Sequence, residues 1–245
     1  MITAGVDVAS KAKNTAACWV EWSRGEATVL RCEPCVADSR LRAILGDAGV
    51  EKVGVDVPIG WPEGFVDSLG RYHEGGEWGD LETSSLVLRA TDHEVHRLTG
   101  RRPLSVSTDR IAYPAMRVAR LLGGVDRSGL GRVVEVYPAA ALRVWGMNAT
   151  GYKRSEGLDV LGRLLAALRG AAPWLQADQA TWGLLRRSDH LFDSLVAAMI
   201  ARARAVGRCH EIPGEALPLA AREGWIAVPL GGSLDGLADD GQPAA

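Results

Sequence analysis

No stretch of this 245-residue sequence approaches the roughly 20 apolar residues that a membrane-spanning helix needs. Neither charge is in excess. With 28 basic and 30 acidic side chains the formal net charge is -2, so the overall balance gives no reason to expect DNA, a membrane surface or an acidic polymer. Lysine is scarce, four residues among the 28 basic ones, and genome composition explains the arginine bias as readily as phosphate recognition does. Four cysteines in a chain this long make no disulfide framework. Cys32 and Cys35 have the spacing of half a zinc site, but Cys209 and His210 are adjacent rather than a second spaced pair. Reduced, partly buried thiols are therefore expected. No internal repeat, collagen period or coiled-coil pattern is visible. The first residues lack the basic-then-apolar layout of a signal peptide, so the expected location is the cytoplasm, with no membrane partner.

What is present is a globular composition, 47% hydrophobic, in a length that can bury one substantial core. Residues 2–8, 14–23 and 26–33 read as β-strands, the last two joined by a tight turn at Arg24-Gly25. Residues 38–49 fit a helix with Leu41, Ile44 and Leu45 on one face. Residues 52–57 form a short apolar run closed by Pro58, as in a strand covered on both faces. Residues 60–84 interleave glycines with acids and read as a long, mobile, acidic insertion. Residues 89–120 reverse the sign, with seven arginines against three acids, and are helical in part after Pro114.

A fifth strand is expected at 132–137, helices at 139–146, 156–169 and 189–206, and a last strand at 225–228. Ser188 is the expected N-cap of the helix from 189. The order predicts an α/β fold with a mixed five-stranded sheet (β-β-β-α-β-α-β-α) and helices on both faces. It implies one domain over 1–230, with the 60–130 segment inserted after the fourth strand, and a disordered tail over 231–245.

Acids at strand ends carry the chemical signal. Asp7 closes the first strand in Gly-Val-Asp-Val-Ala, and Asp56 closes the fourth in Gly-Val-Asp-Val-Pro. Glu135 lies in the fifth, in Val-Glu-Val-Tyr-Pro. An ionised acid inside a short apolar strand is costly without a partner. If the first and fourth strands run parallel and adjacent, Asp7 and Asp56 meet at one edge. Crowded carboxylates are stabilised by a divalent cation such as Mg²⁺ or Mn²⁺, and two ions about 4 Å apart can activate a water and stabilise the leaving oxygen of a phosphodiester. The alternative for each acid alone is a loop cap or an arginine pair. On the last long helix, 100° per residue puts Asp189, His190 and Asp193 on one flank. Asp189 either joins a metal site or caps the helix and serves its dipole.

In this order, GVDVAS, GVDVPIGWP, RATDHEV, VEVYPAA and DHLFDSLVAAMIARA resemble domain-of-unknown-function family 429, a group of predicted nucleases with the ribonuclease H-like fold. The resemblance spans residue 3 to about 229. It implies a ribonuclease H-like sheet with site acids at Asp7, Asp56 and Asp193. His190-Leu-Phe-Asp193 is similar to the His-x-x-Asp of Holliday-junction resolvases. Glu135 matches the family's Glu-x-Tyr-Pro motif, and Arg89 and Asp92 match its Arg-x-x-Asp motif. Arg89 suits either a substrate contact or a salt bridge with Asp92. Trp61, just after the fourth strand, could stack on a base or shield its loop from water. His93 and His96, three apart, lack a third nearby ligand and read as surface residues.

The leading expectation is a metal-dependent nuclease acting on DNA or RNA. Asp7 would bridge two ions, Asp56 and Asp193 would each help hold one, and His190 or Glu135 would orient or deprotonate the attacking water. A non-catalytic nucleic-acid or protein binding module is the alternative from another class. An actin-like or sugar-kinase-like phosphotransferase is disfavoured, because Val-Ala-Ser-Lys-Ala-Lys after Asp7 has no glycine for a phosphate loop. A homodimer is compatible with the sequence, which leaves the oligomeric state open.

Overall fold

A computed structural model describes residues 1–153 and 155–239. The first strand, β1 (Ile2–Asp7), pairs antiparallel with β2 (Ala16–Ser23), which pairs antiparallel with β3 (Glu26–Glu33). The β2–β3 turn is Arg24-Gly25, where Gly25 takes a φ of 76°. Helix α1 (Asp38–Gly46) then crosses to β4 (Lys52–Asp56), parallel to β1. Four helices follow: α2 (Glu63–His73), α3 (Thr83–Val87), α4 (Ala90–Thr99) and α5 (Ala112–Ala119). After them come β5 (Val133–Val136), α6 (Pro138–Val144), α7 (Leu158–Ala171), β6 (Leu175–Gln176), α8 (Gln179–Leu185), α9 (Asp189–Ala205), α10 (Leu217–Glu223) and β7 (Ile226–Ala227).

The result is a mixed α/β fold around one seven-stranded sheet in the order β6-β3-β2-β1-β4-β5-β7. The expected count of five is too low: the last strand, expected at 225–228, joins one edge as β7, and the unforeseen β6 joins the other. At two residues β6 shows no alternation, so its pairing is invisible in sequence. Helices cover both faces, as expected. On one face Val134, Val136, Cys18 and Val20 pack with α9, α6, α7 and α8. On the other, Ala4, Val6, Val53, Val55 and Val133 pack with α1 and α5.

The strongest sequence helix is the most central one. From Leu191 to Ala203 every residue of α9 is buried. It lies directly on β1 and β4 because both strands present glycine to it. Seen from Gly5, a methyl group would stand 2.8 Å from the Ala197 carbonyl carbon and nearer still to Ser194 O and Ala198 N; at Gly54 it would press on Ala197 O. Thr3 Oγ1 donates to Ala198 O at 2.9 Å on the same contact line. In each Gly-Val-Asp triplet, then, glycine admits the helix backbone and the acid two residues on shares its face.

Two expectations are corrected. The 60–84 segment, expected as a long, mobile, acidic insertion, contains helix α2 and the start of α3. It is held by Glu223, whose buried carboxylate accepts from Glu63 N and Ala90 N, each at 2.8 Å, capping the starts of α2 and α4 together. Residues 231–239 are not a disordered tail. They form turns that seat Leu234 and Leu237 in the core; 240–245 lie outside the described residues. The four cysteines are free thiols; Cys32 Sγ faces Cys18 Sγ across β2 and β3 at 3.2 Å, while Cys35 is exposed. Among the described residues no helix is long and apolar enough to cross a membrane.

Candidate functional site

The parallel register of β1 and β4 sets Asp7 directly beside Asp56. Both follow a helix-facing glycine by two residues, so both carboxyls lie on the α9 side of the sheet at the C-terminal ends of their strands. Helix α9 begins over that edge, with Ser188 as N-cap accepting from Leu191 N at 3.2 Å. Its first turns deliver His190 and Asp193. His190 Nδ1 meets Asp7 Oδ2 at 2.6 Å, and this hydrogen bond pushes the imidazole pKa up. Asp193 is fully buried. Tyr152 Oη donates to its Oδ1 at 2.7 Å, and the Lys153 ammonium lies against its Oδ2.

Electrostatics tie these groups into one cluster. Burial and the facing charge of Asp7 push the Asp56 carboxyl up to about 8, against the smaller opposing pull of Lys153 and His190. Burial, with the charges of Asp56, Asp7 and Asp189, also drives the Tyr152 phenol upward. Asp189, half-buried at the first position of α9, thus acts on the same cluster. Among the described residues, Asp7, Asp56, Asp189 and Asp193 share this end of the sheet with Lys153 and His190, and the Arg101 charge also reaches Tyr152.

As a cation site the cluster fits in donor type but is not assembled. Carboxylate oxygens in a surplus of negative charge suit a hard ion such as Mg²⁺. Among the described residues, however, no three of His, Cys, Asp and Glu form a group that could hold one. Lys153 lies on Asp193, where an ammonium and a divalent ion would compete for the same oxygens.

Residues 5–217 match the family model described as "Protein of unknown function (DUF429)". The chain belongs to this family. No curated protein and no solved structure matches it.

The DUF429 motifs separate into two groups in space. Asp7, Asp56, His190 and Asp193 converge, but Glu135 does not join them. Its register partner on β4 is Val55, one residue short of Asp56, so its side chain leaves the sheet on the opposite face. There Arg89 grips it, with Nη1 to Oε2 at 2.8 Å and Nη2 to Oε1 at 2.7 Å, while Ile59 N donates to Oε2 at 3.1 Å. Arg89 also holds both Asp92 oxygens, from Nε at 3.1 Å and Nη2 at 2.9 Å. At 1% exposure its guanidinium is engaged within the protein, so of the two roles open to it the structure adopts the salt bridge. Trp61 packs partly buried against the core under α1 and α5, the shielding arrangement. His93 and His96 lie on the exposed face of α4.

Tyr152 and Lys153 were missed. They sit in a loop between α6 and α7 with no periodicity to mark them. The one available signal was rarity, since Lys153 is among only four lysines.

The crowding of Asp56 has a measurable consequence. A carboxyl whose pKa rises on folding binds its proton more tightly folded than unfolded. Stability is therefore lost as pH climbs from about 4 towards 8. Asp56→Asn removes that loss. In EDTA its melting temperature is expected to exceed wild type by about 2–8 °C at pH 8–9, equivalent to about 1–2 kcal/mol, with the gap closing at pH 4. Scanning fluorimetry across pH checks it, and a gap that widens towards acid would contradict the assignment.

Proposed function

We propose that this chain is a divalent-cation-dependent phosphodiesterase acting on nucleic acid, built on a ribonuclease H-like sheet. The observation that carries the reading is the parallel pairing of Asp7 with Asp56 under the start of α9, where His190 and Asp193 face the same edge. Asp7, Asp56 and Asp193 would hold the ion, with Asp189 at the margin. When bound, Mg²⁺ or Mn²⁺ neutralises phosphate charge and lowers the pKa of a coordinated water.

The chain's own groups do the rest. Asp7 fixes the His190 ring through Nδ1, which leaves Nε2 as the atom that takes up or releases a proton. Tyr152 orients Asp193 by donating to Oδ1. Lys153, against Asp193, would supply an ammonium to a phosphate bound at that carboxylate. Glu135, on the other face, holds Arg89 and the start of the 60–130 segment rather than a proton in transit.

The test is Mn²⁺ titration calorimetry on wild type and Asp7→Asn, followed by cleavage assays on DNA and RNA with the same samples. Saturable binding is expected in wild type and not in the variant. Cleavage should fall by about 10²–10³-fold or more, the several kcal/mol that a catalytic ion supplies. The contact of Lys153 with Asp193 favours a second reading, a binding module that has kept the fold without the reaction. A folded wild type that binds nucleic acid but no Mn²⁺ would establish that one instead.

A further inference from the structure

The three segments Asp56–Pro58, Arg89 and Glu135–Tyr137 line one cleft of about 90 Å³ at the C-terminal ends of β4 and β5. Pro103, Leu104 and Ile111 from the inserted segment close its other side. The volume is far below the roughly 300–1,000 Å³ of pockets for drug-sized ligands, so it suits one flat ring rather than a peptide or a large cofactor.

Its chemistry narrows the occupant further. Arg89 and Glu135 reach it from within, but the Arg89 guanidinium is held by both Glu135 and Asp92, so the interior offers no free cation to an anionic ligand. The remaining walls are apolar, from Val57, Pro58, Leu104 and Ile111, with the Tyr137 ring beside them. Tyr137 Oη accepts from Arg101 Nε at 2.9 Å, which sets a cation next to the cleft. At the other end stands Asp56, paired in register with Asp7. The best fit is therefore a neutral flat ring carried on an anionic linker.

We infer that this cleft is a subsite for a single nucleobase, flanking the phosphate handled at Asp7, Asp56 and Asp193. The inference rests on the phosphodiesterase reading for its choice of ligand. With Arg89 and Glu135 already partnered to each other, to Asp92 and to Ile59 N, the subsite accepts a base by shape and ring contact, and neither of them reads its hydrogen-bonding edge. It also requires the base to be unpaired, which selects single-stranded or locally opened nucleic acid.

The test uses the full chain with methyl-labelled leucine and isoleucine, in EDTA, titrated with uridine and separately with ribose. Neither probe is charged, so binding does not depend on a cation at the acids. Uridine is expected to shift the Leu104 and Ile111 methyl resonances saturably while ribose leaves them unmoved. Leu104 is 60% exposed, so Leu104→Trp fills the cleft without disturbing the core, and it should weaken uridine binding at least tenfold. Equal shifts from ribose, no shift from uridine, or undiminished uridine binding by Leu104→Trp would each overturn the subsite. Mn²⁺ calorimetry on the same wild-type and Leu104→Trp samples keeps the two proposals apart. Mn²⁺ binding with no uridine response sinks the subsite alone, whereas a uridine response with no Mn²⁺ binding sinks the metal site alone.

Discussion

Gly5→Ala is expected to destabilise the protein by about 3 kcal/mol or more, at or beyond the upper end of the usual penalty for overpacking a core. In a domain of this size that is a fall of at least about 6 °C in melting temperature. The reason is what the new methyl group meets. It points at Ser194 O, the Ala197 carbonyl carbon and Ala198 N, which are main-chain atoms in the middle of a buried helix. A flexible side chain could swing away; a helix backbone packed on β1, β2 and β4 cannot yield without moving as a unit.

Lifting α9 also draws His190 away from Asp7, now 2.6 Å apart, so any activity of the site should fall with stability. Gly170→Ala supplies the contrast. That glycine lies in α7 with nothing within 4 Å of an added methyl, and the substitution should stabilise by about 0.4–1 kcal/mol through the unfolded chain. Thermal and urea unfolding of the two variants compare them directly. A Gly5→Ala protein that melts with wild type would mean the helix does not ride on the strand as closely as described.

Gly5 and Gly54 also show what the sequence discloses and what it withholds. Two Gly-Val-Asp-Val segments are plain to read, and they locate the acids. The purpose of the glycines becomes legible only beside the small residues Ser194, Ala197 and Ala198, which lie more than 130 positions away. The three-strand meander, α1, β4 and the extent of α9 all follow from local periodicity, so they were readable. The last strand was readable too, since β7 falls inside the run at 225–228, whereas the short strand β6 depends on tertiary pairing and was not. Glu135 marks the sharpest limit. Alternation along its strand says that it points opposite Val134, but only the pairing with Val55 says which face that is. An offset of one residue moves the carboxylate from the acid cluster to a salt bridge on the other side. Lys153 shows a different limit, because a loop residue's contacts are set by the elements that the loop joins.

That salt bridge is the basis of the second large effect. Arg89→Met should cost about 3–5 kcal/mol, the penalty for breaking a buried ion pair from one side. The loss is not mainly that of the attraction. Arg89 meets Asp92 and Glu135 with four side-chain hydrogen bonds of 2.7–3.1 Å and also reaches Glu223 O at 3.2 Å. Removing it leaves two carboxylates at 0% and 2% exposure with no counter-charge. Burial already holds the Glu135 pKa above the ordinary carboxylate range with Arg89 present, and without Arg89 it must rise further.

The sign of the pH dependence follows. An acid raised on folding gives up stability as pH climbs above its unfolded value near 4, so the variant's deficit should be largest at neutral pH and should shrink on titration towards pH 4. Arg89→Lys should recover little, because one ammonium cannot reproduce the fork that spans both carboxylates. The same loss should reach the site by a defined route. Glu135 holds Ile59 N just beyond Asp56, and Arg89 sits at the start of α4, so the cleft wall between them loses its anchor on both sides. Uridine binding should therefore weaken in Arg89→Met while Mn²⁺ binding, which depends on the opposite face of the sheet, changes less. If both fall together, the two faces are coupled and the division of the motifs between site and support is wrong.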